Sequence, residues 1–598
     1  MTINTQHLIT LRKYMQDNGV DLYLVPNSDP HNNEIPPQCW SRRSWISQFN
    51  GSAGEALITH DHAYLWTDGR YFLQASEQLD PTNFSLMKQQ AFTPETEAWL
   101  THNARGKKLG VDPHTVGIKR ALHLENIMQS IGGQVKYINQ NLVDQSKLLH
   151  NELANAPCSQ TFIRDEKYSG ESIADKLSWL VQQLQAKKID YMVLNILDEI
   201  AWLLNIRAGD IANTPLLISY LIIGVDSATL FVDSRKLPKK VVDYLAINKV
   251  KICEYTDFAT SLQQLDGSIW LDDKSSSMWM YENIRINQQA EIHLDKLPIV
   301  WRKACKNIVE AQGARDVHVR DAVAVINYFS WLDNNIDHQV DEISGSDKLY
   351  EFRSMQEGFL SLSFDTISGF GANGAIIHYR ATEDSKVVLG TNSLYLLDSG
   401  SQYLEGTTDT TRTIHLGTPT AVQKQHYTLV LKGHLAMANV VFPQGTYGEH
   451  IDVMARVALW NNYLNYRHGT GHGVGSSLSV HEGPQKISQV ATNVELTPGM
   501  VLSNEPGFYL EGEYGIRIEN LMLVVEEDES TARNSEYGPF YKFEQLTLLP
   551  YCKKLIDISL LTDIEIKQIR QYYVIIRAKV LPLLHGDAKT WLESELDF

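Results

Sequence analysis

What is scarce in this chain of 598 residues narrows its class first. Cysteine occurs five times, at Cys39, Cys158, Cys253, Cys305 and Cys552, with no CxxC pair among them. Such scatter suits neither a disulfide framework nor a thiolate metal site, and implies free thiols in a reducing compartment. Long apolar runs are missing: no stretch approaches the ~20 residues that span a bilayer. The first residues lack the apolar centre of a signal peptide, and the closing GDAKTWLESELDF is charged where an anchor would be apolar. Positive charge is in deficit, with 53 Lys+Arg against 71 Asp+Glu leaving −18. That balance argues against non-specific nucleic-acid binding, and a soluble cytoplasmic protein without a membrane partner is expected.

What is present is core-forming material. Apolar residues make up 43% and charged residues 21%, and the length suggests about three or four domains. The first part, 1–156, alternates helices and strands. Leu8–Met15 reads as helix, Asp21–Val25 as a buried strand, Glu55–Thr67 as a strand pair, and Asp68 as the N-cap of a helix reaching Leu79. A second α/β part, 157–302, has the same layout of helix, strand, hairpin and helix, which suggests an ancestral duplication. The third part, 303–535, opens with a helix from Lys303 to Asn334, whose Ala322, Val325, Ile326 and Phe329 form one apolar stripe. Short strands with turn residues between them follow, with helices at Ala421–Val441 and Ile451–Tyr463. An antiparallel sheet flanked by helices, an α+β domain, is expected. The tail, 536–598, reads as a strand at Phe543–Tyr551 and helices from Asp563.

The stretch His468-Gly-Thr-Gly-His472-Gly-Val-Gly475 places two histidines among four glycines. Each glycine costs a helix roughly 1 kcal/mol relative to alanine, so these histidines belong on extended or looped backbone where another group comes close. Around it stand candidate hard ligands: Asp398 at the end of an apolar run, Asp409 in GTTDTTRT, His472, Glu505 in LSNEPGFY, and Glu519 in GIRIEN. Taken singly, each is an ordinary turn, loop or strand residue. Together, four carboxylates and an imidazole suit a pair of divalent ions better than a tetrahedral thiolate site. Two M²⁺ offset the four negative charges, and ions about 3.5–4 Å apart can share a hydroxide and polarise a carbonyl.

Those five residues, in that order, resemble the ligand set of the dinuclear metallopeptidases with the creatinase/aminopeptidase, or pita-bread, fold, and the motifs HGTGHGVG, VHEGP, NEPGFY and GIRIEN carry the likeness further within it. Within that group the chain looks most like the long, three-domain cytosolic form of the Xaa-Pro aminopeptidases. Further similarity lies at Phe49–Gly54, Trp66–Ala75, Gly371–Tyr379 and Phe543–Tyr551. The resemblance implies α/β N-terminal and middle domains of creatinase type, then an α+β pita-bread catalytic domain with a C-terminal extension. It implies that Asp398 chelates one metal, that His472 and Glu505 bind the other, and that Asp409 and Glu519 bridge the two. The usual metal would be manganese, with cobalt or zinc able to occupy similar sites.

The same resemblance gives His378, His468 and His481 catalytic or substrate-binding roles, and gives Glu505 the proton that reaches the leaving nitrogen. Histidine suits such work because its unperturbed pKa is about 6.5. Arg517, on the same strand face as Glu519, would hold carboxylates. Tyr509 and Phe364 would line the site, Phe364 as the floor of a proline pocket. Glu34 would reach the active site of a neighbouring subunit in a homodimer. The implied reaction is hydrolysis of the N-terminal Xaa-Pro bond of a peptide by a hydroxide shared between two metals. A prolidase shares the ligands but not the long N-terminal half. Creatinase lacks the metal set, and binding-only relatives typically lose the ligands.

Overall fold

The computed structural model describes residues 3–89, 95–528, 530–533 and 535–598. The chain forms two compact units: one comprises residues 1–164 and 171–299, the other 165–170 and 300–598.

The first unit holds two six-stranded mixed sheets. In each, the first strand lies antiparallel to the second and the second to the third, the fourth runs parallel to the third, and the fifth and sixth run parallel on the far side of the first. Ranked by chain position, both sheets read 4-3-2-1-5-6. The shared layout expected from sequence is thus a shared topology, strand for strand. Leu22–Pro26 and Tyr191–Leu194 are the corresponding first strands, and the former is buried throughout. The helix Ile173–Lys187 starts where Ser172 accepts a hydrogen bond from the Asp175 amide. Asp68 does not cap a helix: its carboxylate is held by the Arg70 guanidinium at 2.7 and 2.8 Å, and the helix begins later, at Phe72–Gln78.

In the second unit every paired strand is antiparallel. A three-stranded sheet joins Ile367–Phe370, Leu394–Ser399 and Thr410–His415. A six-stranded sheet includes Gly471–Gly473, Glu482–Ile487, Val501–Asn504, Asn520–Glu526 and Phe540–Gln545. The expected helix from Lys303 is two helices, Ile299–Ala304 and Ile308–Asn335. Asn307 breaks the run because its side chain accepts from Val309 and Glu310 while Glu310 reaches back, a capping box that outweighs the apolar periodicity. Ala322, Val325, Ile326 and Phe329 face the main core as the stripe predicts, together with Tyr572, Tyr573 and Ile576 of the tail helix Asp563–Lys579. The remaining boundaries shift: the two expected helices span Ala421–Ala438 and Gly448–Trp460, and the tail strand ends at Gln545.

Those last two helices meet at Gly433, where an added Cβ would lie 2.1 Å from the Ala455 carbonyl oxygen. Helix propensity alone would make Gly433→Ala stabilising by about 1 kcal/mol. Backbone contact reverses the sign, because the helices must separate. Gly433→Ala is expected to destabilise the chain by about 1–3 kcal/mol net, read as a lower thermal midpoint.

Candidate metal centre

Each candidate ligand sits on a strand or next to the end of one. Asp398 lies near the end of Leu394–Ser399, where its register partner is Thr411, and Asp409 immediately precedes Thr410–His415. His472 is the middle residue of Gly471–Gly473. Glu505 follows Val501–Asn504, and Glu519 precedes Asn520–Glu526. Asp409, His472 and Glu519 offer ligand atoms that lie within 4.8 Å of one another. His472 Nε2 is 3.5 Å from Asp409 Oδ2 and 3.6 Å from Glu505 Oε1.

The carboxylates are spaced by donors around them. Arg517, 1% exposed, gives one Nη to Asp398 Oδ2 at 2.7 Å, the other to Tyr509 Oη at 2.7 Å, and Nε to Thr411 Oγ1 at 3.1 Å. Thr411 in turn donates a hydrogen bond to Glu519 Oε2 at 2.8 Å. Ser503 donates to Glu505 Oε1 at 3.2 Å and accepts from the His472 amide at 2.9 Å. Neither Thr411 nor Ser503 was among the sequence candidates. Thr411 lies two residues past Asp409 and is the register partner of Asp398 across the sheet, a position visible only once the strands are paired; Ser503 offers no sequence signal. Arg517 and Glu519 do not lie on one continuous strand. The strand Tyr514–Arg517 ends at the arginine, and the two side chains meet through Thr411.

The glycine-rich segment is bent, with strand only at 471–473. Strand alternation therefore does not align His468 with His472; the bends do. His468 Nδ1 lies 4.0 Å from Glu505 Oε2, and its Nε2 meets Tyr509 Oη at 3.0 Å. Arg456, on the helix Gly448–Trp460, fixes that bent chain by donating to the carbonyls of Tyr466 at 3.0 Å and His468 at 2.9 Å. A Cβ at Gly471 would fall 1.9 Å from the Ser503 carbonyl oxygen, so only glycine permits the close pass that brings His472 to Glu505. His481 is exposed, with its ring edge-on to His472 at 4.4 Å. Behind it, the buried Glu482 is gripped by Lys303 at 2.7 Å and by Lys306. His378 and Phe364 are half-buried in the same unit, on the links around the strand Ile367–Phe370. Glu34 is exposed in the first unit, where Ser52 Oγ donates to its Oε1 at 3.0 Å.

Burial and mutual repulsion push the acids up. The Glu505 carboxyl rises to about 7, chiefly through burial, with Asp409 and Asp398 adding to the effect against His472 and Arg517. Asp409 and Glu519 stand well above the ordinary carboxylate range for the same two reasons, burial first. Asp398 Oδ1 is buried and finds no hydrogen-bond donor among the described residues. His472 Nδ1 is directed at the Gly473 carbonyl oxygen at 3.0 Å, which assigns the proton to Nδ1 and makes Nε2 the acceptor facing the acids. Crowded carboxylates, an orphaned oxygen and an oriented imidazole fit hard divalent cations.

Comparison with known proteins gives the family. Residues 312–526 match metallopeptidase family M24, and 539–597 match the C-terminal region of that family. Residues 8–148 and 152–310 each match a creatinase/prolidase N-terminal domain. A probable Xaa-Pro aminopeptidase P of Sordaria macrospora is 42% identical, the match covering 100% of this chain and 99% of that one. Aminopeptidase P2 of Arabidopsis thaliana is 38% identical over 96% of this chain and 85% of its own. The crystal structure of an X-prolyl aminopeptidase from Caenorhabditis elegans, described as a cytosolic enzyme with a di-nuclear active site, superposes with a TM-score of 0.93. It is 32% identical over 100% of both chains.

Raised acid pKa values have a consequence for stability. Between the unfolded glutamate value of 4.5 and about 7, the metal-free fold keeps a proton on Glu505 that the unfolded chain has lost. The fold binds more protons there, so its stability falls as pH rises through that window. Asp409 and Glu519 act in the same direction. Bound cations would remove the penalty. The thermal midpoint of chelator-treated protein is therefore expected to drop relative to metal-loaded protein as pH goes from 5 to 8, with the gap widening by several degrees. A constant gap would contradict the electrostatics.

Proposed function

The chain belongs to the Xaa-Pro aminopeptidase P family, and from that premise we propose that it is a metal-dependent aminopeptidase that releases the first residue of peptides with proline in second position. The observation that carries this reading is that the fold gathers the five candidate ligands, far apart in sequence, into one acidic cluster. Asp398, Asp409, His472, Glu505 and Glu519 would hold two divalent ions, manganese by preference. Bound there, such ions polarise a carbonyl and lower the pKa of water enough to make a nucleophile at neutral pH.

The remaining steps belong to the chain. Hydrolysis adds water across the carbonyl before proline, breaks the C–N bond and leaves the proline nitrogen with a proton. Glu505 is the group for that proton, since its carboxyl lies beside both His468 and His472. Arg517 holds Asp398 in place through a charge-assisted hydrogen bond to its Oδ2. Tyr509, fixed between Arg517 and His468, sets the position of that imidazole. His481 is the donor to the oxygen on which charge develops, and His378, His468 and Phe364 accept the proline ring and its flanking groups. Proline lacks an N–H, so a pocket shaped to its ring accepts a bond that needs no amide donor. The free α-amine of the substrate, drawn to carboxylates, limits cleavage to the terminal residue.

Within the same reading the protein acts in the cytoplasm as a homodimer on peptide substrates, with Glu34 of one copy reaching the other's site. No helix among the described residues is long and apolar enough to cross a membrane, in keeping with that setting.

Two measurements test the proposal. With Mn²⁺ supplied, an Ala-Pro-Pro tripeptide should lose its first residue, whereas an Ala-Ala peptide should be a poor substrate. Cleavage confined to Xaa-Pro dipeptides would make the protein a prolidase instead. His472→Ala should lower kcat/KM on the order of 100-fold or more and reduce bound metal by elemental analysis. Full metal content in that variant would remove His472 from the ligand set.

A further inference from the structure

One buried carboxylate outside the five organises the loop that carries His378. Glu342, the first residue of the helix Glu342–Ser354, is 0% exposed. Its Oε1 accepts from the Phe370 amide at 2.7 Å and Asn373 Nδ2 at 3.1 Å. Its Oε2 lies 3.0 Å from Asn373 Nδ2, 3.0 Å from Tyr379 Oη and 3.1 Å from the Val387 amide. These donors bracket the loop: Phe370 ends the strand before it, Asn373 lies on the turn Gly371–Ala375, Tyr379 is the neighbour of His378, and Val387 follows. Opposite Glu342, the loop is seated on the hairpin that bears Tyr509 and Arg517. A Cβ at Gly515 would fall 1.8 Å from the Gly374 carbonyl oxygen, so the two backbones touch.

We propose that Glu342 is a positioning residue for His378, clasping the loop on both sides so that the imidazole stands at a fixed place beside the substrate. The idea rests on the reading of His378 as a substrate-side group. A charged acceptor satisfied by donors on several segments is geometrically stiff. Glutamine cannot replace it, because the amide NH₂ would face either the Phe370 or the Val387 N–H, donor against donor.

A double-mutant cycle separates positioning from general support of the fold. Steady-state kcat and KM on Ala-Pro-Pro would be measured for the parent, Glu342→Gln, Tyr379→Phe, His378→Ala and the Glu342→Gln/His378→Ala pair, together with metal content. Glu342→Gln is expected to lower kcat/KM about ten-fold at unchanged metal stoichiometry. The pair should be no worse than about two-fold below His378→Ala alone, since one effect acts through the other. Tyr379→Phe keeps the ring and loses one donor. It should show a smaller loss, and it carries the test if Glu342→Gln does not fold. Losses that multiply, or a fully active Glu342→Gln protein, overturn the proposal. An arm that needs no turnover uses ¹³C-labelled histidine. The ring signals of His378, identified by their absence in His378→Ala, should shift in Glu342→Gln or Tyr379→Phe. Unmoved signals overturn the positioning role. A parent protein that fails to cleave the tripeptide counts against the functional reading, and the ring signals still decide this one.

Discussion

Four carboxylates cannot share a buried hollow without something to oppose them. Two unit charges 4 Å apart repel by about 4 kcal/mol at the effective dielectric near a protein surface, and burial adds desolvation to that. The second unit meets this constraint with a small set of donors aimed inward. Arg517 pairs with Asp398, Thr411 donates a hydrogen bond to Glu519, and Ser503 donates one to Glu505. What they leave uncompensated shows in the raised pKa values of Asp409, Glu505 and Glu519. That residue of negative charge is what selects a cation.

Helices and lysines outside the hollow serve the same end. Arg456 pins the carbonyls beside His468, and the Lys303–Glu482–Lys306 group fixes the strand that starts just after His481. Breaking a buried charge group by removing one partner is costly, about 3–5 kcal/mol in general, so these clamps resist motion. Pieces of chain too rich in glycine to be stiff by themselves are made stiff by their neighbours. His472 and His468 keep their spacing because separate supports hold each.

Much of this was legible in the sequence because its signals are local. The strands Leu22–Pro26 and Tyr191–Leu194 are short apolar runs, and the ligands lie inside extended motifs that survive as strings of letters. The duplicated layout was visible as an order of elements, and its strand-for-strand identity needed the pairing. Misreadings arose where side chains competed with periodicity. The stripe of the long helix concealed the break at Asn307, and Asp68 looked like a cap while Arg70 had already claimed its carboxylate. The alignment of Arg517 with Glu519 was right in outcome and wrong in cause. A shared threonine does what a continuous strand was expected to do. Glu342 carried no sequence signal at all, since its partners at Phe370, Asn373, Tyr379 and Val387 converge only in space.

The strands that carry or adjoin the candidate ligands extend from Asp398 to Glu519 and belong to two different sheets. No short segment contains a workable fraction of them. An unfolded or half-folded chain therefore offers cations little more than scattered acids, and loop closure across such separations is slow. Binding two ions at this cluster would require both sheets to be in register first. A site of this kind is a proofreader of its own domain: only a chain whose distant strands have all found their register becomes able to hold the ions.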